Sequence, residues 1–299
     1  MSVYRFVARE RASHHLVTLC RVLGVSRAGF LAWATHRTSA RASADARLLA
    51  TIRVIHTRSR ATYGVPRVHA ELAATGVHVG RKRVARLMRV AGLVGVHRRR
   101  RARVVPRATL IRPWVAPDLV QRDFRASGPD RLWVADITYL PTEAGFLYLA
   151  TVLDAWSRRV VGWSMAPHLQ TELVVDALDA AITARQPGPG LIFHSDRGTQ
   201  YTSVAFGTRL AEAGIAASAG SPGSAYDNAL AESFFASLET ELIDRSSWAS
   251  HDSARLAVFD WLETFYNRLR RHSSIGNLAP VEFERRYRRA TPLITIDQP

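Results

Sequence analysis

The chain reads as an α/β protein in which a helical, strongly basic N-terminal part precedes a domain of strands and helices. Three observations predict this. Residues 1–113 hold 24 Lys+Arg against 3 Asp+Glu, a balance of +21, whereas residues 114–299 hold 17 against 22, a balance of −5. Apolar residues in the basic part recur at helical spacing, while those from residue 132 onward alternate with the period of a strand. Three carboxylates, Asp136, Asp196 and Glu232, fall on a strand, at a strand end and on a helix, where the alternating domain can aim them at one spot.

From the N-terminus, Leu16 to Leu23, then Gly24-Val25, then Ser26 as a cap before Arg27 to Trp33, predict a helix, a tight turn and a second helix. This defines a helix-turn-helix-like segment over residues 1–40. A second pattern of the same kind occupies residues 41–96, with Val65 to Thr75, a turn at Gly76 to Gly80, and Arg81 to Ala91. On its last helix Val84, Leu87, Met88 and Ala91 form the buried stripe, and Lys82, Arg86 and Arg89 lie off it. That is the pattern of a recognition helix, and Arg81, Lys82, Arg83, Arg86 and Arg89 are its candidate DNA contacts. A polyanionic partner follows from the charge, since cations that neutralise phosphates release counterions. Residues 97–125 form a basic linker containing Pro106, Pro113 and Pro117, in which Arg98, Arg99, Arg100 and Arg101 are placed to track a phosphate backbone. Lys82 is the only lysine, and arginine suits bidentate phosphate or guanine contacts.

Residues 126–290 form the alternating domain, with a tail at 291–299. The run Arg131 to Leu140 alternates as a strand and places Asp136 on the face of Val134 and Thr138. Two further strand-like runs, Phe146 to Asp154 and Arg159 to Met165, flank the turn Ala155-Trp156-Ser157. Asp154 is a fourth acid at a strand end. Thr171 to Arg185 has helical spacing, and Gly190 to Asp196 is a strand entering the turn Arg197-Gly198-Thr199, which sets Asp196 at a carboxyl end where open α/β sheets bind ligands. Ser218 to Ser224 is rich in small residues and reads as an active-site loop. Beyond it Asp227 can cap a helix whose Leu230, Phe234 and Leu238 repeat every four residues, leaving Glu232 off the core stripe. Ala257 to Arg271 reads as a further helix, with Arg268, Arg270 and Arg271 favourable to its dipole. Taken singly, each acid is better explained as a hydrogen-bonded or solvated residue. Together they suit hard divalent cations, Mg²⁺ or Mn²⁺, and a pair of such ions can clamp the attacking and leaving oxygens of a phosphoryl displacement.

The segments Trp133-Val134-Ala135-Asp136-Ile137-Thr138-Tyr139, His194-Ser195-Asp196-Arg197-Gly198-Thr199-Gln200-Tyr201 and Tyr226-Asp227-Asn228-Ala229-Leu230-Ala231-Glu232-Ser233-Phe234-Phe235 resemble the integrase core of bacterial transposases, specifically the second-reading-frame protein of the insertion-sequence 3 family. Thirty-five residues separate Asp196 from Glu232, the interval of that family's acidic triad. The likeness extends to Tyr266-Asn267, Arg271-His272-Ser273, Ala279 to Phe283 and, near the N-terminus, Cys20 to Ser26. It implies an RNase H-like core, a mixed five-stranded sheet flanked by helices. It also implies a DDE transposase in which Asp136, Asp196 and Glu232 are both catalytic residues and ligands of two Mg²⁺ or Mn²⁺ ions. Its DNA partners would be the element's terminal inverted repeats and target DNA. The resemblance further implies a homo-oligomer on DNA, an upstream-frame protein or frameshift fusion as partner, and a cytoplasmic, nucleoid-associated location. One departure is visible: many relatives carry a basic residue four or seven positions after the helix glutamate, and here those positions are Ala236 and Glu239.

Several function classes are excluded. One cysteine, Cys20, cannot form an intramolecular disulfide and fits a reducing compartment, and with His14-His15 it lacks the second thiol of a zinc site. There is no Gly-Lys-Ser/Thr phosphate loop, so ATP is not implied. Charges interrupt the start as a signal peptide, and no apolar run approaches the ~18 residues of a spanning helix.

Overall fold

The longest strand, β1 (Leu132–Thr142), is the spine of the molecule, because it pairs on both edges. It runs antiparallel to β2 (Gly145–Asp154), which in turn runs antiparallel to β3 (Val160–Ala166). On its other edge β1 is parallel to β4 (Ile192–Ser195), and β4 is parallel to β5 (Ala216–Ala219). The order is β3-β2-β1-β4-β5, the mixed five-stranded sheet expected. Residues 2–35, 39–97, 116–220 and 229–290 are described by this computed structural model.

Strand alternation divides the core between two faces. Trp133, Ala135, Ala150 and Val152 face α7 (Thr171–Arg185) and α8 (Val204–Glu212), packing with Leu173, Leu178, Phe206 and Leu210. Val134, Leu147, Leu149 and Leu153 face the opposite way, into a cluster with Leu230, Phe234 and Leu238 of α9 (Ala229–Glu241) and Trp261 and Phe265. The tight contact of β3 with α7 depends on Gly162, where a Cβ would lie 2.4 Å from the Ala177 carbonyl oxygen.

In the basic third, α1 (Val3–Glu10), α2 (Leu16–Val22) and α3 (Arg27–Ala34) enclose Val7, Cys20 and Phe30. The bend from α2 to α3 is 112°, within the range of a helix-turn-helix. Gly24 makes the turn at φ +64, and Ser26 caps α3 by accepting from the Gly29 N–H, as the sequence predicts. The helix α1 escaped the sequence reading. Next come α4 (Ala40–Arg58), α5 (Val65–Ala74) and α6 (Arg81–Val90), with Gly76 at φ +80 in the turn before α6. Their buried residues, Leu48, Ile52, Leu72, Val84 and Met88 among them, belong to the same apolar cluster as α9 and the sheet.

Polar contacts reinforce that docking. The Tyr63 hydroxyl donates to the Leu269 carbonyl (3.0 Å) and accepts from the Arg271 N–H (2.7 Å). Arg60 pairs with Asp260 (2.7 Å), Arg67 with Glu241 (3.2 Å) and Arg271 with Glu71. Residues 116–125, read from sequence as the end of a linker, lie instead against β5: Ser218 Oγ accepts from the Leu119 N–H (2.9 Å), and the Ala219 N–H donates to the Pro117 carbonyl (3.2 Å).

The C-terminal region also differs from expectation. α10 (His251–Phe259) starts six residues before the predicted Ala257, capped by Ser250, and passes into a π-helical turn over Asp260–Tyr266. The wider turn brings Trp261, Leu262, Phe265 and Tyr266 all inward, and Leu269 leaves the stripe, 37% exposed. Arg270 and Arg271 therefore serve ion pairs with Glu241 and Glu71, not a helix terminus. Asn267, just past the π turn, donates to the Val160 carbonyl and accepts from its N–H, both at 3.0 Å, closing the end of β3 as a strand would. A final helix, α11 (Pro280–Ala290), contributes Glu284 to ion pairs with Arg159 and Arg185, each at 2.9 Å.

Candidate active site and nucleic-acid surface

Asp136 lies mid-way along β1 on the face of Val134, and its half-buried carboxyl accepts from the Ile137 N–H at 2.8 Å. Asp196 follows the last residue of β4 directly, exposed, and accepts from the Gly198 N–H at 3.0 Å in the turn that leads toward α8. Because β1 and β4 are parallel neighbours, the two acids emerge together from the sheet. Glu232 stands exposed in the first turn of α9, off the buried Leu230, Phe234 and Leu238, as its spacing predicts.

Electrostatics ties the three together. Burial first, then the Asp196 carboxylate and more weakly Glu232, push the Asp136 carboxyl up to about 8. Like charges are thus within reach of one another. Among the described residues no group of three His, Cys, Asp or Glu side chains is gathered closely enough to hold a metal ion. The acids form an open set of hard oxygen donors, without thiolate or imidazole, whose mutual repulsion a divalent cation would relieve; by donor chemistry they fit Mg²⁺ or Mn²⁺.

Two neighbours were not singled out from sequence. The Tyr201 hydroxyl is buried without a hydrogen-bond partner, and burial followed by Asp136 and Asp196 raises its pKa well above the usual range. Its only sequence signal is its place in the segment that begins at His194. Arg197 donates through Nε to the Gly220 carbonyl (2.6 Å), tying the Asp196 turn to the end of β5. His194 is a packed strand residue: its ring bonds Ser218 Oγ at 2.9 Å and meets Phe124 edge-on. Ser218 and Ala219 belong to β5 and are not loop, while Ser221 to Asn228, including the proposed Asp227 cap, lie outside the described residues. Asp154 holds the β2–β3 turn, accepting from the Ser157 N–H (2.7 Å) and hydroxyl (2.9 Å) and from the Asp130 N–H (2.7 Å).

On α6 the buried stripe is Val84, Leu87 and Met88. Arg81, Lys82 and Arg89 project into solvent, whereas Arg83 and Arg86 both bind Asp45 of α4. Those guanidinium groups hold the Asp45 carboxyl below its ordinary range, Arg86 more than Arg83. Arg98, Arg99, Arg100 and Arg101 lie outside the described residues. No single helix among the described residues is long and apolar enough to cross a membrane.

Comparison with known proteins agrees with this architecture. An HTH-like domain family model matches residues 43–101, and two integrase core domain models match residues 126–225 and 213–280. The transposase InsF for insertion sequence IS3A of Escherichia coli (strain K12) is 40% identical over 283 residues, covering 94% of this chain and 98% of that protein. A 31 kDa protein of insertion element IS600 from Shigella sonnei is 38% identical, covering 90% and 98%. Among solved structures, the HTLV-2 integrase catalytic core domain in complex with magnesium matches at 17% identity and a TM-score of 0.42, covering 54% of this chain and 99% of that one. Identity at this level across nearly the full length of both proteins, with HTH-like and integrase core models in the order the structure shows, places the chain in the insertion-sequence 3 family of transposases.

Proposed function

We propose that this transposase nicks the ends of its element and joins the exposed 3′-hydroxyl to target DNA by in-line phosphodiester transfer at Asp136, Asp196 and Glu232. The observation that carries the reading is the exit of Asp136 and Asp196 from adjacent parallel strands, with burial first and then Asp196 and Glu232 raising the proton affinity of Asp136. Asp136 and Asp196, leaving adjacent parallel strands, would hold a pair of Mg²⁺ or Mn²⁺ ions, with Glu232 of α9 completing the set. Such ions, when bound, neutralise the phosphoryl oxygens and lower the pKa of an attacking water or hydroxyl. The protein's own part is positioning: the sheet fixes the two aspartates, and the hydrogen bonds from the Ile137 and Gly198 N–H groups fix how each carboxylate points.

In this reading residues 1–40 and 41–96 recognise double-stranded DNA, with Arg81, Lys82 and Arg89 of α6 as the exposed contacts and Arg83 and Arg86 oriented by Asp45. Residues 126–290 carry the chemistry. A homo-oligomer assembled on DNA, an upstream-frame protein or fusion as partner, and action at the bacterial nucleoid in the cytoplasm belong to the same proposal.

Labelled element-end DNA incubated with the protein and Mg²⁺ or Mn²⁺ should give 3′-end cleavage and joined products. Asp196→Asn should lower product formation at least ~100-fold, the scale of loss when transition-state charge stabilisation is removed. Undiminished product from Asp196→Asn would reject the site. Binding without cleavage, even with the upstream fusion supplied, would make the protein a regulator.

A further inference from the structure

A cavity of about 430 Å³ opens between α5, the β2–β3 turn, α9 and the segment after the π turn. Three guanidinium groups line it, those of Arg67, Arg158 and Arg270, and no carboxylate does. Among the described residues the acid hydrogen-bonded to them is Glu241, whose two oxygens are both taken by Arg270 at 2.8 Å while Arg67 shares one at 3.2 Å. Three positive charges against two negative, the second being Asp154 acting on Arg158 through space, leave the cavity cationic. His272 adds no charge, since burial and then Arg270, Arg67 and Arg158 keep its imidazole neutral.

Arg158 is the group that gives the cavity a purpose. Among the described residues it makes no ion pair, and its Nε is buried with no hydrogen-bond acceptor. It stands at φ +64, a left-handed conformation uncommon for a side chain of this size, in the turn that Asp154 holds. A desolvated guanidinium donor without an acceptor is unfavourable unless a ligand supplies one. The remaining polar wall is hydroxyl: Ser233 and Ser237 of α9 and Ser273 and Ser274 opposite. Arginine forks in excess over acids, with neutral hydroxyls beside them, suit a phosphate.

We propose that this cavity grips a backbone phosphate of the DNA strand being processed, with Arg158 as its principal ligand. The inference rests on the DNA-transposing reading above. Ser233 follows Glu232 directly and both are exposed, so a phosphate held there would sit one residue along α9 from Glu232. It would replace the cations that α9 lacks at Ala236 and Glu239.

The test is binding of the full chain to a labelled DNA duplex by fluorescence anisotropy across a NaCl series. Arg158→Gln should weaken binding roughly tenfold, as loss of a charged hydrogen bond does, and lower the slope of log K against log salt by about one. Arg158 has no partner to lose, so the variant should melt with the wild type. If it does not, Ser274→Glu at the exposed rim carries the test and should weaken binding in the same way. Unchanged affinity and slope in the variants, with wild-type binding intact, would overturn the cavity and leave DNA binding by the helices standing. Absence of any salt-dependent binding by the wild type would overturn both.

Discussion

Asp136 carries a carboxyl whose ionisation its surroundings resist, burial first and then the Asp196 charge. Removing that charge should stabilise the fold where no cation balances it: in EDTA, Asp136→Asn should melt a few degrees above the wild type. Added MgCl₂ or MnCl₂ should raise the melting temperature of the wild type and not of the variant. A variant that melts lower in EDTA would mean that the acids do not repel as described. At this scale the sequence was informative about acids and poor about what surrounds them. The places of Asp136, Asp196 and Glu232 on strand, strand end and helix were legible from periodicity, and the family resemblance singled them out as a set. The unpartnered Tyr201 hydroxyl and Arg158 Nε were not, since lacking a partner is a property of every neighbouring segment at once.

Among the elements, α7 runs over the residues its spacing predicts, because an apolar stripe with one partner face leaves little choice of boundary. The C-terminal helix was misread because its π turn changes the period within the segment, so the rule that found α7 gave the wrong ends there. The same region shows why Asn267 matters structurally: its amide does for Val160 what a sixth strand would. Beside it, His272 has a measurable titration. Its folded pKa lies well below the ordinary value of 6.5 through burial and the arginines around it, so below that pH the unfolded chain binds a proton that the folded chain does not. Stability is therefore complete above the unfolded pKa and is lost as pH falls toward the folded one. Urea unfolding should show wild type losing about 2 kcal/mol more than His272→Gln between pH 7 and pH 5. Equal losses would show that the imidazole protonates freely in the folded state.

At the scale of the molecule, α4, α5 and α6 share one apolar cluster with the sheet, while α1 to α3 enclose a small one of their own. Charge arithmetic separates the chain into two parts, and the structure keeps that partition of charge without a partition of packing. The sequence could not reveal the docking, because its contacts, such as Tyr63 to Leu269 and Arg271, join residues about two hundred positions apart. Tyr63→Phe leaves both the Leu269 carbonyl and the Arg271 N–H without that partner and should cost about 1–2 kcal/mol in denaturant unfolding. The loss should appear as a shift of one common transition. An earlier, separate transition in the wild type would contradict the shared core.

The docking of α4, α5 and α6 onto the C-terminal segment has a metrical consequence. On the proposed function, an α6 seated on the same apolar core as the acids would make the protein a ruler, with the offset between the DNA bound by α6 and the bond cut set by that packing. Lengthening the chain between residues 97 and 116 should then leave the cleavage position where it was, whereas repacking the surface around Tyr63 should move it.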